Sequence, residues 1–337
     1  MKGNFNKLSL SSAQKRRIKA LYARNNYRGL FSILESIAWI GLGVVASQMW
    51  GLAGWIIAMV IIGTRQRALA SLLHEAAHGT LFKAKVLNST VGRVVCGWTI
   101  LQSFDSYRKS HVLAHHPHIS DAQQDPDYSY MLEAGVYANQ SRAAFIWKFL
   151  ITPALGRLTP HYIGYLLRER LGKALQTPKE RGEVLCILAF HTAILAASHY
   201  AGVMTEVVLL WFVPFVVVYP LVGWYSELAE HFPMMDARYA RHSFFSRNRY
   251  AGRIEKLFIG MHGDHYHLTH HLLPGLPHWN LGKATEILRE DDAFRAWDDH
   301  WGGIFSSAQG KVSLLAYLLN EHPFELPDSP IFAEARP

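Results

Sequence analysis

The chain has 337 residues, half of them apolar and only 18% charged. Ordinary soluble domains carry about a quarter charged residues, so the composition excludes a disordered chain and argues against an ordinary cytosolic enzyme. Two cysteines, Cys96 and Cys186, exclude a disulfide scaffold and any cysteine-rich zinc or iron–sulfur site. Both lie in apolar surroundings and read as inert packing residues.

The net charge is +8, from 34 Lys and Arg against 26 Asp and Glu. Nucleic acid or a membrane surface would each account for it, and the location of the charge decides between them. Residues 1–30 carry eight Lys or Arg and no acid, and the chain then runs to Arg65 with Glu35 as its only formal charge. A basic segment feeding straight into an apolar one is the pattern of a cytoplasmic, juxtamembrane N-terminus. No short apolar region with a small-residue cleavage site is visible, so no secretory signal is expected. The acid-poor start also admits a transit peptide. Against that, Ser11-Ser-Ala-Gln14 has the spacing of a capping box opening an ordinary helix.

Residues 12–28 read as a short basic helix with Ile18, Leu21 and Tyr22 on one side, placed at the membrane interface. Residues 30–48 are a first span. Residues 49–64 are a second once Arg65 and Arg67 reach back to the interface. The turn between them, near Gln48 to Gly51, has no Lys or Arg. In the polar region that follows, Ala143–Gly156 is apolar but interrupted by Lys148 and Pro153, which suits an interfacial helix. Val184–Met204 and Val207–Trp224 are uncharged over 21 and 18 residues. They read as spans three and four, the last kinked at Pro214 and Pro220. Beyond them, Lys311–Asn320 is apolar enough to pack but not to span.

The expected fold is therefore all-α and integral to a membrane. Four transmembrane helices form two hairpins, 30–64 and 184–224, with short outer turns. Residues 65–183 and 225–337 form a cytoplasmic helical cap, and 1–29 a basic interfacial N-terminus. The whole of 1–337 is one domain, and the positive-inside rule makes the Lys- and Arg-rich side cytoplasmic. A soluble all-α protein with two buried hairpins is the alternative, disfavoured because soluble cores rarely need four uncharged runs of about 20 residues. No internal repeat is visible.

Nineteen histidines are present, many of them clustered. His74-Glu-Ala-Ala-His78 follows span two. His111-Val-Leu-Ala-His115-His116 sits in the long polar region, His231 lies just past span four, and His267-Leu-Thr-His270-His271 comes beyond it. Residues three or four apart on a helix share a face, so each box presents two imidazoles to one point. Adjacent residues diverge by roughly 100°. The pairs His115–His116 and His270–His271 therefore argue for two neighbouring ions, with nine imidazoles shared between them. Imidazole suits Fe, Zn, Cu and Ni. A carboxylate-bridged di-iron protein would need two Glu-x-x-His motifs, and the chain has one, Glu75-x-x-His78. His74-Glu75-x-x-His78 is also the zinc-protease motif, but that site leaves the other two boxes unexplained. A metal transporter would place His within the spans, where His191 and His199 lie. His262, His265 and His278, near the third box, are lesser candidates.

The three boxes in this order, the four spans and His231 resemble the membrane fatty acid desaturase family. So do His267-Leu-Thr-His-His-Leu-Leu-Pro-Gly-Leu-Pro and the segment ending in Asp125-Pro126-Asp127. The resemblance runs from about residue 30 to 290. It implies a non-haem centre of two Fe ions, with O2 as co-substrate, that removes two hydrogens from an unactivated alkyl chain. The ligands it implies are His74, His78, His111, His115, His116, His231, His267, His270 and His271. Glu227, four residues before the isolated His, stands where relatives carry a polar residue near the second metal, some of them Asn. A Glu there puts negative charge beside the iron. Glu230 is a second candidate, as a hydrogen-bond partner of a ligand.

In the family that the chain resembles, an HxxxH first box is usual for desaturases of lipid-linked acyl chains and acyl-CoA types more often show a longer spacing, so a fatty acyl lipid is the expected substrate. Arg65, Arg67, Arg108 and Lys109 are candidates for holding an anionic head group or for interfacial anchoring. With no cytochrome b5-like His-Pro-Gly-Gly stretch, electrons are expected from a separate ferredoxin, cytochrome b5 or flavoprotein reductase. Hydroxylation or ketolation by the same centre is one alternative. Desaturation of a small amphiphile is another, since some members act on modified amino acids. A bacterial inner membrane is the expected location, with the endoplasmic reticulum second.

Overall fold

The computed structural model describes residues 8–157, 159–176, 178–236 and 244–320. Among the described residues it is helical, with no strand beyond isolated bridges at Tyr250–Gly302 and Trp301–Val312. Four helices are long and apolar enough to cross a membrane.

Helix α1 (Ser12–Ala20) opens on the expected capping box. The Ser11 hydroxyl accepts from the Gln14 N–H, and Gln14 Oε1 accepts from the Ser11 N–H. It ends at Leu21, well before residue 28. Helices α2 (Arg28–Met49) and α3 (Gly51–His78) are separated by Trp50, and Gly51 takes a φ of 53° that glycine tolerates. α3 does not stop near residue 64. It runs for 28 residues, about 42 Å at 1.5 Å each, and carries the first box on its last turns. Arg65 does not reach back to an interface as expected. It is fully buried and stacks over Trp39 at 5.3 Å.

Further along, α4 (Lys85–Val91) widens into a π-helical turn, Gly92–Gly97, in which Cys96 is buried. Burial pushes its thiol up to about 12, so it is inert packing. α5 (Phe104–Tyr107) continues into a second π-helical stretch, Arg108–His115, and then into α6 (His116–His118). α7 (Pro126–Glu133) follows. α8 (Arg142–Ile146) extends through Trp147–Ile151 to Thr152–Ala154, over the apolar stretch read from sequence.

α9 (Pro178–Tyr200) and α10 (Met204–His231) are the other long helices. α10 widens to a π-turn at Val208–Phe212, just ahead of Pro214, and contains Pro220. A proline ring clashes with the carbonyl four residues back, here Leu210, and the widened turn accommodates it. The remaining helices are α11 (Arg253–Phe258), α12 (His267–Leu272), α13 (Leu281–Leu288), α14 (Asp292–His300) and α15 (Leu314–Asn320).

The chain divides into two compact units: Met1–Arg24, His111–Thr152 and Tyr225–Pro337 form the first, Asn25–Ser110 and Pro153–Trp224 the second. In the second, Ile40 of α2, Ala58 and Ile62 of α3 and Leu210 of α10 share an apolar cluster. Gly63 allows the close approach there, since a Cβ on it would lie 2.4 Å from Val218 Cβ. Outward along α2, Leu30, Phe31, Leu34 and Ile37 are exposed, as suits a surface facing hydrocarbon. The buried Glu183 of α9 gathers the segment after α4. It accepts from Arg93 Nε (2.8 Å), Ser103 Oγ (2.7 Å), Trp98 Nε1 (3.2 Å) and the Phe104 N–H (3.2 Å). In the first unit, Ile18 of α1 joins Leu268 of α12, Leu281 and Leu288 of α13 and Trp297 of α14 in one core.

Candidate metal centre

The second box sits on the π-helical stretch Arg108–His115, and this changes which histidines meet. A 3.6-residue turn pairs His111 with His115. A π-turn, with its i→i+5 register, brings His111 Nε2 to 3.1 Å from His116 Nε2 as well, while the His111 and His115 rings stack at 5.1 Å. His116 Nε2 in turn lies 3.1 Å from His270 Nε2. The ligating atoms of these three lie within 4.8 Å of one another, and those of His115, His231 and His271 form a second such group. His267 adjoins the second group, its Nε2 3.0 Å from both His231 Nε2 and His271 Nε2. Thus His115 and His116 divide between the two groups, as do His270 and His271. All seven are in the first unit. His74 and His78 belong to the second unit, one turn apart at the end of α3 with ring centroids 4.7 Å apart. Gly79, at φ 73°, ends that helix. Glu75, which a protease would use as its base, is buried and accepts from Thr80 Oγ1 at 2.7 Å.

Partners on the far side of two of the rings orient them. His231 Nδ1 donates to the Phe245 carbonyl at 2.9 Å, so its Nε2 carries a lone pair. Phe245 presents that carbonyl from a left-handed conformation, φ 61°. His115 Nδ1 donates to Asp125 Oδ1 at 2.9 Å. Asp125 is itself placed as the N-cap of α7, accepting from the N–H groups of Asp127 and Tyr128 ahead of Pro126 at the first helical position. Asp127 Oδ2 lies 3.5 Å from His111 Nδ1 and 3.6 Å from His115 Nδ1.

Burial acts to lower the pKa of His115, but Asp125, then Asp127 and Glu227, outweigh it and hold it up at about 9. Burial and the neighbouring imidazoles hold His267 well below its ordinary value, so it is neutral. Converging imidazoles backed by buried carboxylates form a donor set that suits a cation, which would displace the proton that the carboxylates hold on His115.

Glu230, beside His231 on α10, is buried. Its Oε1 meets Arg249 Nη2 at 2.8 Å and its Oε2 lies 3.5 Å from His267 Nε2. Arg249 also pairs with Asp264 at 2.6 Å. Glu227 is half-buried, and its charge reaches His115, Tyr130 and Tyr137. α12 is pinned through Thr269. Its N–H donates to Asn248 Oδ1, and Asn248 Nδ2 donates to the buried Asp298 at 2.8 Å. Asp298 also accepts from Tyr250 and Arg289. Among the lesser candidates, His265 Nδ1 donates to the Gly260 carbonyl, and the rings of His262 and His278 pair with each other. His191, a candidate for a transport site, donates from Nε2 to the Trp98 carbonyl at 2.7 Å.

The sequence profile of the family described as fatty acid desaturase matches residues 50–302, which include every candidate ligand. The chain belongs to the fatty acid desaturase family. It is an oxidoreductase, and its histidine clusters are consistent with the iron-binding boxes of that family.

Among individual relatives, it is similar to the dihydrorhizobitoxine desaturase of Bradyrhizobium elkanii, 32% identical over 87% of this chain and 85% of that one. It is 26% identical to a probable fatty acid desaturase of Sorghum bicolor, over 79% and 71% of the two chains. It is 23% identical to a chloroplastic omega-3 fatty acid desaturase of Brassica napus, over 80% and 70%.

The sequence singled out Asp125-Pro126-Asp127 but not the role of the two carboxylates as partners of the second box, and it gave no sign of Arg249 and Asp264 behind Glu230. Only Asp125 carries a local signal, the Asp-Pro that marks a helix N-terminus.

Proposed function

We propose that this desaturase uses O2 to introduce a double bond into an alkyl chain at two iron ions. The proposed ligands are His74, His78, His111, His115, His116, His231, His267, His270 and His271, with Glu227 and Glu230 as close partners. The observation that carries the proposal is the convergence of imidazole nitrogens in two groups, with each adjacent pair divided between them. Iron, when bound, supplies the oxidising power that breaks two unactivated C–H bonds. The chain's own residues prepare the site. The Phe245 carbonyl and Asp125 accept hydrogen bonds from the Nδ1–H groups of His231 and His115, which leaves the Nε2 of each ring for a cation. Asp125 sets buried negative charge behind His115, and Glu230, paired with Arg249, places its other oxygen beside His267.

Removing two hydrogens while reducing O2 to two waters consumes four electrons. The substrate gives two, so two electrons and two protons come from outside, from a ferredoxin, cytochrome b5 or flavoprotein reductase. The four long helices are proposed as two transmembrane hairpins of a single domain, 1–337. The boxes then lie in a cap on the cytoplasmic side of a bacterial inner membrane, the side that the Lys and Arg distribution favours.

A fatty acyl lipid is the proposed substrate, supported by the plant relatives. A small amphiphile is the second reading, favoured by the higher identity to dihydrorhizobitoxine desaturase.

Metal analysis of protein purified from iron-supplemented cells tests the centre. Two irons per chain, lost in His231→Ala, are expected. A single zinc that survives loss of His111 and His270 would overturn the assignment. With acyl lipid or dihydrorhizobitoxine, O2 and a reductase, a product lighter by two hydrogens supports desaturation. Gain of one oxygen would make the enzyme a hydroxylase.

A further inference from the structure

α1 presents a basic arc to solvent. Lys15, Arg16 and Lys19 are exposed and fall within about 100° around the helix. None of the three has an ion-pair partner among the described residues. The rest of α1 is tied to protein. Ile18 is buried in the core with Leu268, Leu273 and Leu276. Arg17 pairs with Glu290 at 2.6 Å, and Gln14 Nε2 donates to the same carboxylate. Asn280 Nδ2 donates to the Leu21 carbonyl at 2.6 Å, and the Tyr22 ring lies so close to Gly275 that a Cβ there would come within 3.3 Å of it. Gly275 is four residues beyond His271, at most about 14 Å along the chain. α1 is thus seated on the segment that leads out of the third box.

A helix that lies in a membrane interface buries its apolar face at the acyl boundary. That face of α1 is already spent on protein, so the helix offers only charge. The first 34 residues contain no acid to offset it, and Glu290 nearby is already engaged by Arg17. Such a surface complements an acidic protein.

We propose that the Lys15–Arg16–Lys19 face of α1 is the docking surface for an acidic, soluble one-electron carrier protein. The proposal rests on the desaturase function above, since a carrier is needed only if O2 is reduced in the reaction. Each docking passes one electron and leaves one carrier oxidised. Two dockings supply the pair of electrons that the substrate does not provide.

The test uses the full-length, iron-loaded protein in phosphatidylcholine nanodiscs, with an acidic plant-type [2Fe–2S] ferredoxin as the probe. The variant is Lys15→Glu, Arg16→Glu and Lys19→Glu together, with Arg17 kept because it anchors the helix. At low salt its dissociation constant for ferredoxin should rise at least about tenfold. The difference should vanish towards ~1 M salt, where charges are screened within about 3 Å. The triple Gln variant should fall between the two, which separates loss of charge from loss of fold. Reduction of the iron by dithionite, followed by Mössbauer spectroscopy, bypasses docking and should be unchanged in both variants.

Equal ferredoxin affinity in all three proteins overturns the proposal, as does absence of ferredoxin binding to the unaltered protein. Equal affinity with hydrogen exchange in α1 that slows only in nanodiscs containing phosphatidylglycerol assigns the arc to lipid head groups, and overturns it too. Failure of the desaturase function is read separately, as absence of iron, or of dithionite-reducible iron, in the unaltered protein.

Discussion

Asp125→Asn separates two tasks of one carboxylate. Asp125 is fully buried. Its Oδ1 accepts from His115 Nδ1 at 2.9 Å and from the Asp127 N–H at 3.0 Å, while Oδ2 accepts from the Ser120 N–H at 3.1 Å. Asn keeps the shape and one oxygen acceptor but not the charge. Asn and Asp cap helices about equally well, whereas Ala in place of either costs about 1 kcal/mol. Loss of the partner behind a ligating imidazole lowers metal affinity by about 10–100-fold, or about 1.4–2.8 kcal/mol. The Asn variant should therefore lose iron to a competing chelator at about 10–100-fold lower chelator concentration, while α7 stays folded.

The metal-free protein gives a second readout with a definite sign. Burial pulls His115 down, but Asp125 holds it at about 9, above the ordinary 6.5. A raised folded-state pKa stabilises fully below the unfolded value and loses that stabilisation as pH rises through the folded one. Metal-free wild-type protein should thus lose melting temperature between pH 6.5 and 9, and Asp125→Asn should lose most of that slope. Wild-type iron retention in the Asn variant, or an unchanged slope, would refute the reasoning.

Replacing His111, His115 or His270 with Ala should abolish product formation while leaving the protein in the membrane fraction; near-normal activity would contradict the assignment of ligands. Gly63→Leu drives a side chain into Val218, whose Cβ is 2.4 Å from the position of a Cβ. It should cost about 1–3 kcal/mol, seen as a lowered melting temperature in detergent with the three boxes intact. Glu183→Ala leaves the donors on Arg93, Trp98 and Ser103 without their acceptor. It should destabilise by about 2–3 kcal/mol, and limited proteolysis should cut first between residues 92 and 106.

The four long helices were legible because a membrane imposes a length and a composition that few other environments require. Their ends were not. Nothing local stops α3 at residue 64, and the burial of Arg65 against Trp39 depends on a side chain 26 positions away. Hydropathy scores that arginine as a charge needing water, whereas the fold supplies an aromatic face instead. For the candidate ligands, the division of each adjacent pair was legible, but the partner of His111 was not. The His111 and His115 rings stack at 5.1 Å, but the π-turn over Arg108–His115 also brings His111 Nε2 to His116 Nε2, which a four-residue spacing does not announce.

The groups that orient the ligands were the least legible, and the reason is physical. A ligand pair is set by the pitch of one helix. The partner of each outer nitrogen is set by whichever segment packs behind it. His115 draws its carboxylate from ten residues on, and His231 its carbonyl from fourteen on. Thr269 of the third box is held by Asn248, which is held in turn by Asp298. Substitution at Asn248 or Asp298 should therefore disturb the candidate metal site without removing a proposed ligand. Conversely, a chain with all three boxes but no acceptor at 125 would leave the His115 ring without the partner that orients it.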